Sequence, residues 1–309
     1  MKKILVIGSL NMDLVINTGK IPVMGETVLG SGFLTAPGGK GANQAVAAAK
    51  LGGDVTMVGC IGNDVFGEQL IENLKKSHAK TEYIGVVDEI SSGIAVITVK
   101  DGNNSIIVAP GANNCLTPQR IVELENLIKN CSFMILQMEI PIETVNTAID
   151  LARKHGVTVV LNPAPAITLD EEFLSRVDLL VLNESESEII TRRNVKSVDD
   201  AKSVIMTLNE IGVKQVVVTM GGKGAVYNDG KNIVHALVPN VKVVDTTAAG
   251  DSFIGALTVA LSQGKSMEQA VGYANIVGTL TVTKKGAQIS LPDTKDVENF
   301  ISSLKATKQ

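Results

Sequence analysis

The segment that ends at Asp251 contains the residue types that phosphate chemistry requires. Small residues, Thr246-Thr247-Ala248-Ala249-Gly250, precede Asp251 and an apolar helical stretch, Ile254–Leu261. Small residues let a ligand approach the backbone, and amides at a helix start lack intrahelical partners and bind anions. A carboxylate here could accept the proton of a substrate hydroxyl. An ordinary N-cap Asp is an equally good interpretation of this segment alone.

Two further glycine-rich segments could approach a ligand. Gly38-Gly39-Lys40-Gly41-Ala42-Asn43 opens an Ala-rich helix predicted over Gly41–Leu51, and Thr219-Met220-Gly221-Gly222-Lys223-Gly224 follows an apolar strand. The first is not a Walker A loop, because Gly41 stands where Ser or Thr is needed. The second is equally typical of a simple β-turn. Each segment alone is a weak signal.

Polar residues that could bind a ligand follow most of the predicted strands. Such residues meet at one edge of a parallel sheet, where ligands bind. They are Asn11 and Asp13, Glu139, Asn183, Thr219, and Asp245 at the end of a predicted strand Val241–Val244. Strand ends are commonly polar, so this pattern alone does not establish a site.

Continuous apolar runs predict strands that are buried between two helix layers. These runs are Ile4–Ile7, Val55–Val58, Phe133–Leu136, Val157–Leu161, Leu179–Leu182 and Val216–Val218. Helix-period segments alternate with them at Ile142–Lys154, Val198–Glu210 and Asp251–Ser262. Alternation of this kind indicates a doubly wound, mainly parallel α/β sheet flanked by helices.

Two segments interrupt this alternation. Residues 14–36 and 91–109 are β-rich without an intervening helix, and Asp101–Asn104 has the composition of a hairpin turn. We expect them to pair as a small second sheet with one uncovered face. A late hairpin, Gly224–Tyr227 and Ile233–Val238, is predicted at an edge of the main sheet. We therefore expect one α/β domain over residues 1–309, with the second sheet inserted.

Composition limits the function classes. The 309 residues carry a net charge of −4 and only 3% aromatic residues, with no basic stripe, which disfavours nucleic acid and anionic membrane as partners. Three scattered Cys and three scattered His do not form a zinc pattern. The N-terminal apolar run is too short for a signal peptide or a membrane span, so we expect a cytoplasmic protein with reduced thiols.

Two of these segments resemble the signatures of the PfkB carbohydrate-kinase family, in the family's order. They are Gly38–Asn43 and Asp245–Asp251. The resemblance runs from Gly8-Ser9-Leu10-Asn11-Met12-Asp13 to Lys285-Gly286-Ala287-Gln288, essentially the whole chain. It implies the family's α/β fold, with residues 14–36 and 91–109 as a β-sheet lid that also forms a homodimer contact.

The resemblance also implies a role for individual residues. Asp251 matches the general base, and Ala248, Ala249 and Gly250 match the anion hole. The sugar positions are Asn11, Met12, Asp13, Gly39, Lys40, Gly41, Ala42, Asn43 and Glu139. The nucleotide positions are Asn183, Glu186, Thr219, Met220, Gly221, Gly222, Lys223, Gly224, Gly250, Asp251 and Asn275. A monovalent-cation site matches Asp245, Thr247, Thr281, Lys284, Gly286 and Ser290.

The implied reaction is phosphorylation of D-ribose by ATP at the 5-hydroxyl, with Mg²⁺ carried by ATP and K⁺ as an activator. The alternatives are a family kinase that acts on deoxyribose, fructose, a nucleoside or a sugar phosphate, and a non-catalytic sugar-binding regulator. Lys40 is the only basic residue in the sugar motifs, and Phe33 is nearly the only aromatic group of the lid. These features disfavour a sugar phosphate and a nucleoside. A non-catalytic regulator would not need the Asp251 carboxylate or the glycine amides. The sequence retains both, which disfavours that alternative.

Overall fold

Apolar runs form strands and amphipathic segments form helices in the computed structural model, which describes residues 2–101 and 103–306. The strands are β1 (Lys3–Ile7), β2 (Asn11–Thr18), β3 (Gly30–Gly38), β4 (Asp54–Gly62), β5 (Lys80–Val87), β6 (Gly93–Lys100), β7 (Asn103–Ala109), β8 (Phe133–Leu136), β9 (Thr158–Leu161), β10 (Leu179–Asn183), β11 (Gln215–Thr219), β12 (Ala225–Asn228) and β13 (Ile233–Ala236). The helices are α1 (Lys40–Lys50), α2 (Val65–Lys76), α3 (Pro118–Glu123), α4 (Glu125–Ile128), α5 (Ile142–His155), α6 (Glu171–Ser175), α7 (Glu184–Thr191), α8 (Val198–Ile211), α9 (Ala249–Ser262), α10 (Met267–Thr281) and α11 (Thr294–Ala306).

The main sheet has the strand order β13-β12-β11-β10-β9-β8-β1-β4-β5. Strands from β11 to β5 in this order pair in parallel, and the β12–β13 hairpin is antiparallel at one edge. The predicted mainly parallel α/β sheet is therefore confirmed. From β1 the chain winds outward to β4 and β5, and it later returns to β8 on the other side of β1. The winding direction changes between β1 and β8, which is where open α/β sheets bind ligands.

Alternate residues of each central strand face opposite helix layers. In β1, Ile4 and Val6 belong to the hydrophobic cluster that contains residues of α1, α9 and α10, whereas Leu5 and Ile7 belong to the cluster that contains residues of α5 and α8. Both faces of the sheet are thus covered. This double burial explains why the central strands are continuous apolar runs in the sequence.

A separate four-stranded sheet has the order β3-β2-β6-β7. Its strands come from the two β-rich segments, and β2 and β6 pair in parallel while the outer pairs are antiparallel. Phe33 and Ile107 on its edge strands are 65% and 70% exposed. The predicted turn Asp101–Asn104 includes Gly102, which lies outside the described residues.

The predicted strand Val241–Val244 is wrong. Residues 237–248 form neither strand nor helix, and the amides of Val244 and Asp245 donate to the Val282 carbonyl oxygen at the end of α10, at 2.8 and 3.2 Å. The segment therefore pairs with a helix terminus rather than a sheet, and the side chains of Val243 and Val244 remain exposed. A β-branched run alone cannot distinguish these two environments.

Among the described residues, no helix has both the length and the apolar character needed to cross a membrane.

Helices α1 and α9 pack closely through small residues. A Cβ atom built on Gly255 of α9 would lie 2.7 Å from Ala47 Cβ and 2.9 Å from the Ala48 amide nitrogen of α1. Real Cβ atoms do not approach other atoms this closely, so only glycine fits at this crossing without a backbone shift. The close approach brings the first turns of the two helices together at the carboxyl edge of the sheet.

We predict that Gly255→Ala lowers the free energy of unfolding by about 1–3 kcal/mol, because the added methyl group forces α1 and α9 apart. Gly272→Ala in α10 is the matched control, because a Cβ atom there meets no atom within 4 Å. Alanine should stabilise that helix by about 0.5–1 kcal/mol. Urea unfolding measures both changes, and equal stability of the two variants would contradict the packing argument.

Candidate active site

Asp251 lies at the carboxyl edge of the main sheet, as the third residue of α9. It does not cap the helix: Ala248 is the N-cap residue, in a left-handed conformation with φ of 59°, and no side chain bonds the helix start. The carboxylate instead accepts hydrogen bonds from Asn43 Nδ2 on Oδ2 and from Gln44 Nε2 on Oδ1, both at 2.9 Å. The capping interpretation is therefore wrong. The buried carboxylate is directed toward the start of α1.

The first turn of α9 presents unpaired backbone donors beside this carboxylate. The Ala249 amide donates to the Thr246 carbonyl oxygen at 3.2 Å, and the Ser252 amide donates to Ala248. Within residues 2–101 and 103–306, the amides of Gly250 and Asp251 have no protein acceptor. A Cβ atom built on Gly250 meets nothing within 4 Å, so the backbone there is open to a ligand. Of the predicted anion-hole residues, Gly250 offers a free amide, whereas that of Ala249 is partly committed.

A cleft of about 190 Å³ opens at this helix start, and we call it the α9 cleft. It is lined by Lys40, Asn162, Val181, Leu182, Asn183, Glu186, Thr219, Thr246, Ala248, Gly250, Asp251 and Ile254. The structure thus brings together residues from the ends of β9, β10 and β11 with the starts of α1 and α9. Open amides, a lysine and carboxylates on one wall suit a phosphate group with a bound cation.

The start of α1 contributes five of the predicted sugar-site residues, from Gly39 to Asn43. Gly39, with φ of 86°, precedes the helix. The Lys40 amide donates to Glu139 Oε2 at 3.0 Å. Asn43 donates to Asp251, and its Oδ1 accepts from Gln288 Nε2 at 3.0 Å, which fixes the orientation of the Asn43 amide. Gly41 and Ala42 are buried in the same turn. This turn therefore connects Glu139 with Asp251.

Glu139 joins the start of α1 to the start of β2. Its Oε2 accepts from Ser9 Oγ at 2.5 Å and from Asn11 Nδ2 at 3.5 Å, in addition to Lys40. Asn11 Oδ1 accepts from Asn113 Nδ2 at 2.7 Å, which directs the donor end of Asn11 toward Glu139. Carboxylate and amide groups in this arrangement offer both donors and acceptors to the hydroxyls of a sugar.

Asp13 is a buried carboxyl group that follows the buried Met12 in β2 and lies close to Glu139 and Asp251. Burial raises the pKa of Asp13 to about 7, with further contributions from the negative charges of Glu139 and Asp251. The described residues give Asp13 no hydrogen-bond donor, so its ionised form is poorly stabilised in the free protein. Hydroxyl donors of a ligand would supply the missing partners.

Lys40 is the cation among these carboxylates. Burial by itself lowers the pKa of Lys40, but the charges of Asp251, Glu139 and Glu186 more than offset this effect and raise it. Burial also raises the pKa of Glu186, although the Asn183 amide donates to its carboxylate at 2.9 Å. Lys40 therefore stays protonated within a site of net negative charge.

The predicted nucleotide residues divide into two groups. Asn183, Glu186 and Thr219 line the α9 cleft, and Asn183 and Glu186 also form a capping box at the start of α7. The turn from Met220 to Gly224 and Asn275 are not part of the cleft lining. Asn275 Nδ2 donates to the carbonyl oxygens of Ala236 and Leu237 at 3.2 and 3.3 Å, and Lys223 Nζ donates to the Lys196 carbonyl oxygen. This second group lies along β11–β13 beyond the cleft.

Two of the predicted cation residues, Thr247 and Gly286, contact the Asp245 carboxylate. Its Oδ1 accepts from the amide and hydroxyl of Thr247 at 2.9 and 2.7 Å, and its Oδ2 accepts from the Gly286 amide at 2.9 Å. Burial opposes ionisation, but these hydrogen bonds lower the pKa of Asp245. Thr281 and Ser290 are buried, and Lys284 Nζ pairs with Asp296. Among the described residues, no hydrogen bond joins these three residues to the Asp245 carboxylate. An ionised carboxylate is a hard oxygen ligand, so Asp245 is suited to a hard cation.

Sequence reasoning missed five polar residues that orient this site. They are Gln44, Asn113, Gln137, Asn162 and Gln288, and all are buried. The strand-end pattern could have found Asn162, which directly follows β9. Gln44 is adjacent to Asn43 in the Ala-rich helix and could have been noted as a polar residue in an apolar turn. Asn113 and Gln288 contact the site only through tertiary packing, and no local signal identifies them.

Comparison with known proteins places these observations in context. A family model described as pfkB family carbohydrate kinase matches residues 1–294. The chain is 40% identical over 307 residues to the ribokinase of Bacillus subtilis (strain 168), covering 98% of this chain and 100% of that protein. It is 39% identical over 301 residues to the deoxyribokinase of Salmonella typhi, covering 97% and 98%. The structure of Arabidopsis thaliana ribokinase complexed with ribose and ATP matches with a TM-score of 0.91 at 32% identity, covering 97% and 98%.

We predict that Asp13→Asn changes how stability depends on pH. A carboxyl with a raised folded-state pKa binds extra protons in the folded protein, so its contribution to stability is lost as pH rises toward about 7. Between pH 6 and 8.5, the unfolding free energy of the natural protein should fall by about 1 kcal/mol relative to Asp13→Asn. Urea unfolding at the two pH values measures this difference. The exposed Asp199→Asn should show no such trend, and a pH-independent difference for Asp13→Asn would contradict the prediction.

Proposed function

The chain belongs to the pfkB family of carbohydrate kinases, and we propose that it transfers the γ-phosphoryl group of ATP to the 5-hydroxyl of D-ribose, giving ribose 5-phosphate and ADP. The position of Asp251 supports this function most directly. Its carboxylate is held 2.9 Å from two amide side chains of α1, beside the open amides of Gly250 and Asp251. An acceptor for a hydroxyl proton and donors for a phosphoryl group therefore occupy one helix start.

D-ribose would bind between the start of β2 and the start of α1. Asn11, Asp13, Asn43 and Glu139 supply the hydrogen-bonding groups, and Gly39 lets the sugar approach the backbone. The Asp13 carboxyl group receives no hydrogen bond from the described part of the chain, and the hydroxyls of a pentose could supply one. The apolar parts of Met12 and Ala42 support the site through packing, because both are almost fully buried.

In the transfer step, Asp251 would accept the proton of the sugar 5-hydroxyl as the oxygen attacks the γ-phosphorus. The amides of Gly250 and Asp251 would stabilise charge that develops on the moving phosphoryl group, and Lys40 adds a positive charge at the same wall. Phosphoryl transfer depends on alignment and charge stabilisation more than on covalent steps by the enzyme. The arrangement of α1 against α9 provides that alignment.

ATP would extend from the α9 cleft across the ends of β10 and β11 to the turn at Gly221–Gly224 and Asn275. Asn183, Glu186 and Thr219 face the phosphates in this placement. Glu186 would help to hold the Mg²⁺ that accompanies ATP, which when bound neutralises phosphate charge. The Glu186 carboxylate lies at the cleft wall, where burial raises its pKa, and a bound cation would stabilise its ionised form.

We further propose that K⁺ binds the loop around Asp245 and activates the enzyme. The carboxylate and the surrounding carbonyls of Thr247, Thr281, Lys284, Gly286 and Ser290 would be its ligands. This loop is joined to the first turn of α9 through Thr247, so an ordered loop would hold the anion-binding amides in place. Turnover in K⁺ compared with Na⁺, together with thermal stability in both salts, tests the proposal.

Deoxyribose is the second candidate substrate, since identity to the Salmonella deoxyribokinase is 39% and to the Bacillus ribokinase 40%. The buried Asp13 and Asn11 favour ribose, because an analogue without the 2-hydroxyl leaves one more buried group unpaired. An ADP-release assay with ribose, 2-deoxyribose, fructose and nucleosides decides between them. A kcat/KM for ribose at least about 10-fold above that for deoxyribose supports the first candidate.

The small sheet would act as a lid over the sugar and as the contact surface of a homodimer. The strand register places Phe33 and Ile107 on the face opposite to Asp13, where both side chains are largely exposed. Large apolar side chains exposed on the edge strands of a sheet are typical of a protein contact. A second copy of the chain would cover them.

We also propose a cytoplasmic location, in a reducing environment. Cys60, Cys115 and Cys131 are free. Burial raises the pKa of the Cys60 thiol to about 11 and also raises that of Cys131, so both thiols are protonated and weakly reactive.

We predict that Asp251→Asn lowers kcat by about 10²–10⁴-fold, because the general base is lost. The KM values for ribose and ATP should change little, since the shape of the site is retained. Asp200→Asn is the matched control, because Asp200 is likewise the third residue of a helix but lies in the capping box of α8, outside the lining of the α9 cleft. Its turnover should equal that of the natural protein. Near-normal turnover of Asp251→Asn would refute the proposed base.

We predict that Phe33→Glu combined with Ile107→Glu converts a dimer into a monomer of 32.5 kDa, because charge on the lid face prevents close packing. Light scattering after gel filtration measures the mass. Met206→Glu on α8 introduces the same charge at a position of similar exposure and should leave the dimer intact. A natural protein that is monomeric at micromolar concentration would contradict the dimer proposal.

A further inference from the structure

We infer that Gln44 and Gln137 are positioning residues for Asp251, an inference that rests on the role of Asp251 proposed above. Gln44 lies in α1, and Gln137 follows β8 at the point where the winding of the sheet changes. Both side chains are fully buried. Neither lines the α9 cleft, so they would act on the reaction through Asp251.

The two glutamines form a chain of side-chain amides that ends on the base. Gln137 Nε2 donates to Gln44 Oε1 at 2.7 Å, and Gln44 Nε2 donates to Asp251 Oδ1 at 2.9 Å. Gln44 Nε2 also lies 3.2 Å from Asn162 Oδ1. A carboxylate that accepts a hydrogen bond on each oxygen, here from Gln44 and Asn43, cannot rotate freely. Its remaining lone pairs are thereby directed at the α9 cleft.

The direction of every amide in this chain follows from the carboxylate. An ionised carboxylate only accepts hydrogen bonds, so Gln44 must turn its NH₂ group toward Asp251 and its oxygen toward Gln137. Gln137 must then turn its own NH₂ group toward Gln44. With Gln137 donating through its NH₂ group, its amide oxygen points away from Gln44 and from Asp251.

That oxygen has no partner. Among the described residues, Gln137 Oε1 is the only side-chain nitrogen or oxygen atom fully shielded from solvent that makes no hydrogen bond. It lies against Gly8, where a Cβ atom would come within 2.0 Å of it. Folding stability alone would favour an apolar side chain here, because an unpaired buried oxygen is destabilising. A glutamine in this position is therefore explained by its donor, which orients Gln44.

Asn162 extends the chain to the other side of the cleft. Its Nδ2 donates to the Val181 carbonyl oxygen at 3.2 Å and lies 3.4 Å from Glu186 Oε2. The amide chain thus connects the base with the carboxylate proposed to hold the Mg²⁺ of ATP. A fixed distance between these two groups aligns the acceptor hydroxyl with the phosphoryl group, and misplacement by about 1 Å lowers rates strongly.

Gln137→Met tests this inference because it separates orientation from stability. Methionine removes the unpaired Gln137 oxygen and leaves Gln44 Oε1 unpaired instead, so the number of unpaired buried atoms stays the same. We expect an unchanged urea midpoint, unchanged KM values for ribose and ATP, and a kcat lowered by about 10-fold. The exposed Gln69→Met on α2 is the matched control and should change none of these quantities. An unchanged kcat in Gln137→Met, or a kcat loss that only follows a lowered midpoint, would overturn the inference.

A double-mutant cycle tests whether the effect passes through the base. Gln44→Met alone should lower kcat by about 10–100-fold, since a hydrogen bond to a charged group is lost. In the Asp251→Asn background the same change should have little further effect, because the group that it positions is absent. Multiplication of the two losses would overturn the positioning role while leaving the base assignment intact. Normal turnover of Asp251→Asn alone would instead refute the proposed function, so the two failures are distinguishable.

Discussion

The hydrogen bonds that the Asp251 carboxylate accepts from the first turn of α1 connect all the other features of this site. They require α1 and α9 to approach within the distance that Ala47, Ala48 and Gly255 allow, which explains the small residues on both helices. They also fix the carboxylate beside the amides of Gly250 and Asp251, at the edge where the strands end. The sheet, the helix crossing and the chemistry therefore share one geometric constraint.

The net negative charge of the site explains why polyols and cations would bind there. The carboxylates of Glu139, Glu186 and Asp251 act on the Lys40 cation, and the buried Asp13 lies close to Glu139 and Asp251. Buried carboxylates repel each other and lose hydration, which raises the pKa of Asp13 and of Glu186. A neutral polyol relieves this deficit by donating hydroxyl hydrogen bonds, and a cation that accompanies ATP relieves it by charge. Binding of the proposed substrates would therefore stabilise the ionised carboxylates of the site.

Much of the fold could be read from the sequence, because the central strands are buried on both faces and so are continuous apolar runs. The pairing of two β-rich segments into a small sheet could also be inferred. The segment Val241–Val244 was misread, since β-branched residues that pair with the end of a helix resemble a strand locally. In the site, Asp251 was found through its small neighbours, but its surroundings were not. Gln137 directly follows β8 and so fits the strand-end pattern, but its link to Asp251 through Gln44 is a tertiary contact. Asn113 and Gln288 act only through contacts between distant elements, and sequence spacing carries no information about such contacts.

A crystal structure with D-ribose and a non-hydrolysable ATP analogue tests the central claim most directly. The account predicts that the sugar 5-hydroxyl lies within about 3 Å of an Asp251 carboxylate oxygen. It also predicts that the terminal phosphate faces the amides of Gly250 and Asp251, in line with that hydroxyl. A sugar whose 5-hydroxyl points away from Asp251, or a nucleotide bound away from the start of α9, would contradict it.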